Sequence, residues 1–198
     1  MSSYAGIIKQ NLDRLYGSIP VDLADRLPAE PIANDFVFQA FGESCRIGPQ
    51  DIKLADKAET GPKGIIISLY ALQAAPVSCQ LTPFKAFREM PDSMPYVAAF
   101  ASRAERILFD HIDEIEQHAD RIVHRIVGSR GSDNAAGDFS LIIYPLPKIA
   151  LNYIFYRADD DFPASASCLF SNNAAIFLPT DALADTAEFT SKKILDIL

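Results

Sequence analysis

The segment from Phe139 to Leu198 limits the fold of this chain more than any other part of the sequence. It contains a strand, a Pro-x-Pro break, an apolar strand from Ile149 to Tyr156, an acidic turn, an alternating strand and a helix. The apolar strand is hydrophobic on both faces except at Asn152, which predicts a central strand covered on both sides. Local propensity, hydrophobic pattern and turn chemistry agree along this segment, as they do in a sequence committed to one fold.

The end of this segment predicts a β-hairpin followed by a capped helix. The strand from Ala164 to Phe170 alternates regularly between its two faces. The acidic turn from Asp159 to Pro163 joins it to the preceding strand, which predicts antiparallel pairing. Thr180 is expected to cap the last helix, and Asp181 suits the positive end of the helix dipole.

Hydrophobic spacing elsewhere predicts helices around one strand meander. The meander covers Asp35 to Lys53, where apolar residues alternate and glycines mark the turns. We therefore predict one α+β domain over residues 1–198, in which a mostly antiparallel or mixed sheet packs with helices. The predicted helices run from Tyr4 to Tyr16, from about Pro62 to Ala74, from about Tyr96 to Phe109 and from Ile112 to Val127, and Gly128 to Gly137 is predicted to be a loop.

The negative net charge of the chain disfavours two classes of partner. With 18 basic and 26 acidic residues, the formal net charge is −8. Nucleic acids and anionic membrane surfaces attract a basic face, so we predict no nucleic-acid partner and no membrane partner. An acidic balance instead favours solubility.

Cysteine usage and apolar runs predict a soluble cytoplasmic protein. Cys45, Cys79 and Cys168 are odd in number and form no C-x-x-C pair, which is typical of buried thiols in a reducing compartment. The longest apolar runs fall far short of the ~20 residues that cross a bilayer. The start of the chain lacks the basic and apolar pattern of a signal peptide.

Two groups of metal-ligating residue types fit ordinary surface roles better than a metal site. His111 and His118 lie seven residues apart with Glu114 between them, and seven residues span ~10.5 Å in a helix, too far for both imidazoles to bind one ion easily. The acids from Asp159 to Asp161 fail the calcium-loop pattern because Pro163 stands where a ligand is needed. No metal is predicted, and the sequence identifies no cofactor.

The segment from Ala75 to Phe100, which is irregular as far as Pro95, is where a functional surface is expected. It contains four prolines, and long irregular segments in compact domains often carry function. Two interpretations stay open: its aromatic residues fasten the segment to the core, or they line a binding groove. The residues that motivate both interpretations are Phe84, Phe87, Arg88, Glu89, Tyr96 and Phe100.

Three stretches of the chain resemble domain-of-unknown-function family 3786. They run from Leu81 through Phe100, from Pro145 to Ile149 and from Asp160 to Ala164, and the helix after Leu178 fits the same pattern. The resemblance implies a prokaryotic protein, common in anaerobes, with no established activity. Some family members look fused to a cysteine-rich iron–sulfur module of the kind seen near corrinoid-dependent one-carbon metabolism, so the resemblance implies a link to that metabolism.

The chain departs from the family pattern at two places. Members often carry a histidine before the aromatic residue that precedes the last helix, where this chain has Ala174 to Phe177. They tend to have a glycine pair after the Phe-Arg-Glu-x-Pro run, where this chain has Asp92 and Ser93. A role that depends on that histidine, or on a close backbone approach at that pair, is therefore not expected here.

A committed fold without a catalytic motif favours a non-enzymatic accessory module. The chain has no nucleophile elbow, no dinucleotide fingerprint and no phosphate loop, so no catalytic residue is assigned. The module is expected to bind a protein partner or a small-molecule ligand in a groove between the aromatic segment and the terminal hairpin. The candidate binding residues are Phe87, Arg88, Glu89, Tyr96, Lys148, Asp160 and Asp161.

Two alternatives to this function stay open. An enzyme would assemble its site in space from Arg88, Glu89, Tyr96, Lys148 and Asp161, and a shifted pKa at a buried member would support it. A homodimer would instead cover the apolar strand if one chain cannot do so by itself.

Overall fold

The computed structural model of the chain describes residues 3–131 and 136–198. Within these residues, two antiparallel sheets of five strands each pack with helices, so the predicted α+β class is confirmed. None of the helices in this part of the chain has the length and apolar character needed to cross a membrane.

The first sheet is an antiparallel meander in which each strand pairs with the next. Phe38 and Ala40 on one strand and Cys45 and Ile47 on the next face the core, as the alternating pattern predicts. The meander predicted from Asp35 to Lys53 is therefore confirmed, with a short strand added at each end. Its strands are β1 (Glu30–Ile32), β2 (Asp35–Ala40), β3 (Glu43–Ile47), β4 (Ile52–Leu54) and β5 (Lys57–Ala58).

The second sheet has the strand order β6-β10-β9-β8-β7 and contains the predicted C-terminal hairpin. Its central strand β9 is buried from Ile149 to Phe155, so a single chain covers both faces and the burial of β9 requires no second copy. A bulge in β8 leaves Pro145, which lacks a backbone donor, outside the regular ladder. The strands are β6 (Lys85–Ala86), β7 (Gly128–Arg130), β8 (Phe139–Leu146), β9 (Ile149–Tyr156) and β10 (Ser165–Phe170).

The loop predicted from Gly128 to Gly137 contains a strand at its start. Gly128 pairs with Ile143 of β8, where a Cβ atom would lie 2.4 Å from the carbonyl oxygen of Ile142. Glycine thus permits a close approach of two backbones, and its presence in a turn-like sequence conceals the strand. Residues 132–135 of the predicted loop lie outside the described residues.

The helices lie at the predicted positions, but each of the two predicted central helices consists of shorter helical pieces. The run predicted from Tyr96 to Phe109 becomes a short α-helix, a π-helical turn at Ala101–Glu105 and a 3-10 helix at Arg106–His111. Periodicity locates such a run but does not reveal a change in hydrogen-bond register. The α-helices are α1 (Tyr4–Gly17), α2 (Leu23–Arg26), α3 (Pro62–Leu72), α4 (Val97–Phe100), α5 (Ile112–Gln117), α6 (Ala119–Ile126) and α7 (Thr180–Leu195).

Thr180 does not cap α7 in the predicted manner. The N-cap position belongs to Pro179, and the Thr180 hydroxyl donates a hydrogen bond to the carbonyl oxygen of Pro91 at 2.6 Å. The side chain therefore ties the start of α7 to the proline-bounded segment instead of satisfying the helix's own backbone. Asp181 does lie in the first turn, where its charge suits the helix dipole.

The two sheets share one apolar core. The Phe41 N–H donates to the Pro145 carbonyl at 2.7 Å, which joins the β2–β3 turn directly to β8. The Phe41 ring also meets Phe189 of α7 edge-on, with 6.3 Å between ring centroids. Backbone and side-chain contacts thus fix the first sheet against the second, and α7 contacts both sheets, through Phe189 to Phe41 and through Ser191 to Tyr153.

Candidate functional site

A groove of about 370 Å³ lies at the edge of the second sheet, where β6 meets β10. One wall comes from Phe87 and Arg88, which follow β6, and the other from Phe100 and the π-helical turn that ends at Glu105. Residues 167–169 of β10 form its floor. The groove thus lies between the aromatic segment and the terminal hairpin, where the sequence predicted a binding surface.

The aromatic wall of the groove is also part of the core. The rings of Phe87 and Phe100 stack with 4.3 Å between centroids and an interplanar angle of 9°. Phe170 of β10 lies beneath both, at 5.9 Å from Phe87 and 5.8 Å from Phe100. The stacked rings therefore fasten the segment to β10, and Phe87 and Phe100 also line the groove.

Glu105 places a half-buried carboxylate in this groove. Its Oε1 accepts a hydrogen bond from the backbone N–H of Cys168 at 2.9 Å. In an antiparallel ladder alternate residues direct their N–H groups to opposite neighbours, and this bond shows that the Cys168 N–H points away from β9. The carboxylate thus satisfies an edge donor of the sheet that the two-residue strand β6 does not reach.

The electrostatics of Glu105 differ from those of a surface acid. Burial raises the pKa of its carboxyl, and the hydrogen bond from Cys168 offsets part of that rise. A carboxyl with a raised pKa in a groove can bind a cationic or hydrogen-bond-donating group, or carry a proton. Its position at the end of a π-helical turn fits the frequent occurrence of such turns at functional sites.

A hydrogen-bond network behind the groove holds the π-helical turn in place. The Ser191 hydroxyl of α7 donates to the Ala104 carbonyl at 2.6 Å, and it lies 3.0 Å from the hydroxyl of Tyr153 on β9. The backbone next to Glu105 is thereby fixed by two other elements. Such support holds a functional side chain in one geometry.

Cys168 is not a nucleophile in this environment. Its thiol is buried, and burial raises its pKa well above the usual range, with the charge of Glu105 raising it further. The thiolate is the reactive form of cysteine, and a protonated buried thiol is inert. The chemistry of the groove therefore rests on Glu105 and Arg88.

The predicted residues of the aromatic segment separate into different environments. Phe87 and Arg88 line the groove. The Glu89 carboxylate accepts a hydrogen bond from the Ala86 backbone N–H at 2.6 Å and so holds the end of β6. Tyr96 borders a second depression, next to Pro91 and Thr180 at the start of α7.

Lys148 is placed in the turn between β8 and β9, away from the groove. Its ammonium group donates to the Ala75 carbonyl at 2.9 Å and lies 5.8 Å from the centre of the Phe177 ring. Burial lowers the pKa of Lys148, and repulsion from Arg26 lowers it further. The side chain joins the irregular segment to the sheet.

The residues proposed for a spatially assembled enzyme site do not come together. Asp160 and Asp161 are exposed in the turn after β9, whereas Lys148 precedes β9. The eight residues of that strand separate the two positions by roughly 25 Å, far beyond the hydrogen-bond reach of a general base. Of the five residues Arg88, Glu89, Tyr96, Lys148 and Asp161, the groove includes Arg88 alone.

The histidine face is an ordinary surface arrangement. The Nδ1 atom of His111 lies 3.3 Å from the Glu114 carboxylate, and that of His118 lies 2.9 Å from the Glu114 carbonyl oxygen. Across residues 3–131 and 136–198, no three histidine, cysteine or acidic residues are grouped as metal ligands.

A family model for a domain of unknown function, DUF3786, matches residues 20–193. The chain belongs to the DUF3786 family. The match includes every residue of the groove in this DUF3786 chain, together with the turn after β9. Neither curated proteins nor solved structures provided a match.

Replacing Glu105 by Gln is expected to increase the free energy of unfolding at neutral pH by less than about 1 kcal/mol, the range of a partly exposed charged group. The pKa of Glu105 in the folded state is above its ordinary value of 4.5, so the folded state binds the carboxyl proton more tightly than the unfolded state does. The stabilisation from this carboxyl is therefore present below pH 4.5 and is lost as the pH rises through the raised value. Glutamine keeps the neutral form at every pH.

Urea unfolding of both proteins between pH 4 and pH 8 measures this effect. The difference in the free energy of unfolding between Glu105→Gln and the wild type should be small at the acidic end and grow towards neutral pH. Glu30→Gln, at an exposed carboxyl of β1, is the matched control and should show no such growth. A pH-independent difference for Glu105→Gln would contradict the prediction.

Proposed function

We propose that this protein is a non-enzymatic accessory module that binds a small-molecule ligand or a protein partner in the groove beside β10. The observation that carries the proposal is the half-buried carboxylate of Glu105 between the stacked Phe87 and Phe100 rings and the sheet edge. Binding sites commonly combine apolar walls with a few placed polar groups.

The lining of the groove defines the chemistry of its ligand. A cationic or donor group on the ligand would bind the Glu105 carboxylate and offset the desolvation that raises its pKa. An apolar portion would lie against Phe87 and Phe100, and an anionic group would meet the guanidinium of Arg88. A molecule with an ammonium or guanidinium group, an apolar portion and a carboxylate meets all three conditions.

The family resemblance supplies a setting for this binding. It connects such modules with iron–sulfur and corrinoid-dependent metabolism in anaerobes, where this protein would act in the cytoplasm on a protein partner or a metabolite. The net charge of −8 supports a role that involves neither nucleic acid nor a membrane surface.

Native mass spectrometry of freshly purified protein, followed by thermal shift with L-arginine and agmatine, tests the proposal. We expect an additional bound mass or a rise in melting temperature that Glu105→Gln reduces, with affinity at least about tenfold lower because a charged hydrogen bond is lost. Arg88→Ala should weaken the binding of L-arginine more than the binding of agmatine, because agmatine lacks the carboxylate.

Arg14→Ala, an exposed arginine of α1, is the control and should bind as the wild type does. The proposal of a small ligand fails if wild-type protein has neither an added mass nor a shift. It also fails if Glu105→Gln binds as tightly as the wild type.

An enzyme is the second candidate function, and one observation favours it. A carboxyl with a raised pKa in a groove is a common property of general acids and bases. A bound molecule that Glu105→Gln retains but the wild type converts to product would support this function over simple binding.

A further inference from the structure

An apolar depression of about 490 Å³ lies at the end of the hairpin formed by β9 and β10. It is at the opposite end of β10 from Leu169 and Phe170, where β6 pairs, so it is separate from the groove. We call it the hairpin surface, and it consists of Asp138, Tyr156, Arg157, Asp159, Phe162, Pro163 and Ser165.

Two aromatic side chains of the hairpin surface are open to solvent. Phe162 is 70% exposed and Tyr156 is 39% exposed. Burial of such a side chain stabilises a folded or bound state in proportion to the apolar area removed from water, and Phe162 keeps most of its area in water in this fold. Exposed aromatics that share a depression with Pro163 are typical of an interaction site.

The turn that carries Phe162 is ordered before any partner binds. The Asp159 carboxylate accepts hydrogen bonds from the backbone N–H groups of Asp161, at 2.9 Å, and Phe162, at 2.7 Å. The Asp159 N–H in turn donates to the Phe162 carbonyl at 2.9 Å. An aromatic anchor on such a fixed turn loses little conformational entropy on binding.

The rim of the hairpin surface is acidic among the residues that the structure describes. Asp138 and Asp159 line it, and the exposed Asp160 and Asp161 adjoin it. Arg157, the basic side chain among the described lining residues, is already bound by both carboxylate oxygens of Glu116. The charge on this surface is therefore negative.

We propose that the hairpin surface is a docking site for a basic segment of a partner protein, one with lysine or arginine next to an apolar residue. The apolar residue would cover Phe162 and Pro163, and the cation would lie over an aromatic ring and near the Asp160 and Asp161 carboxylates. Charge complementarity selects this occupant, because a second copy of a chain with net charge −8 is repelled.

Fluorescence anisotropy with a labelled ten-residue peptide that alternates arginine and leucine tests the docking site. We expect binding that weakens at least tenfold in Phe162→Ala and several-fold in Asp160→Asn/Asp161→Asn, with a smaller salt dependence in the second variant. The same peptide with glutamate for arginine should not bind. Thermal melting of each variant should match the wild type, because the replaced side chains are exposed.

Matched variants distinguish the docking site from general charge attraction and from the groove. Met94→Ala removes another exposed apolar side chain, and Glu30→Gln/Asp56→Asn removes two exposed charges of the first sheet. Both variants should bind the peptide as the wild type does. Glu105→Gln should also bind the peptide normally, because its expected loss of ligand binding concerns the groove alone. The proposal is overturned if the wild type does not bind the peptide or if Phe162→Ala binds as tightly as Met94→Ala. Conversion of a dimer to a monomer by Phe162→Ala in sedimentation would also overturn it, in favour of a second copy.

Discussion

Phe170→Ala is expected to lower the free energy of unfolding by about 3–5 kcal/mol, the range for large aromatic residues removed from a core. The Phe170 ring is fully buried and lies within 6 Å of the Phe87 and Phe100 rings, measured between centroids. Removal of the Phe170 ring leaves a cavity beneath the stacked Phe87 and Phe100 rings. These rings can fill that cavity only by giving up their stacking. Urea unfolding followed by circular dichroism measures the change.

Phe162→Ala is the matched control for this prediction, since it makes the same chemical change on the same hairpin. Phe162 is mostly exposed, so its replacement should alter the free energy of unfolding by less than about 0.5 kcal/mol. Comparable losses in the two variants would show that the Phe170 ring is not enclosed as the structure describes.

Gly42→Ala is expected to cost about 2–4 kcal/mol, because two unfavourable effects coincide at this turn. Gly42 has a φ of +75°, a backbone conformation that residues with a Cβ atom adopt at a cost. A Cβ atom there would lie 2.4 Å from the Arg125 carbonyl oxygen and 3.0 Å from the Ile126 Cα. Both neighbours are backbone atoms of α6, so no side-chain rotation relieves the contact.

Gly17→Ala provides the same substitution at an unconstrained position. Gly17 is the last residue of α1, and beyond its chain neighbours and the backbone of its own helix, no heavy atom of the described residues lies within 4 Å of a Cβ placed there. We expect it to leave the melting temperature unchanged or to raise it slightly, because alanine reduces the entropy of the unfolded chain. Equal melting temperatures for the two alanine variants would refute the close contact at Gly42.

Long elements with a strong pattern were predictable from the sequence. The apolar run from Ile149 to Tyr156 is β9, and the periodic segment after Pro179 is α7. The strands β6 and β7 were not predictable, because they have two and three residues and are held by their neighbours rather than by a pattern of their own. The register change at Ala101–Glu105 leaves the hydrophobic spacing almost intact, so it too was hidden.

The sequence predicted one wall of the groove but not its carboxylate. Phe87 and Arg88 were identified because aromatic and charged side chains occur together in a proline-bounded segment. Glu105 was missed, since its role depends on a hydrogen bond to Cys168, 63 residues away, and on the π-helical turn. No local signal in the sequence distinguishes this carboxyl from the other acids of a surface helix. Lys148 and Asp161 were grouped because both adjoin the hairpin, yet they adjoin opposite ends of it.

The two sides of the groove differ in how readily they open. The floor belongs to β10, which pairs with β9 along six residues, whereas β6 is held to β10 by two residue pairs. Local opening requires less free energy where fewer contacts are broken, so we expect the β6–β10 backbone pairing to open before the β9–β10 pairing, while the buried Phe87 ring keeps its packing on Phe100 and Phe170. Amide protons of β6 will therefore exchange with solvent by sub-global fluctuations, and those of β9 by global unfolding.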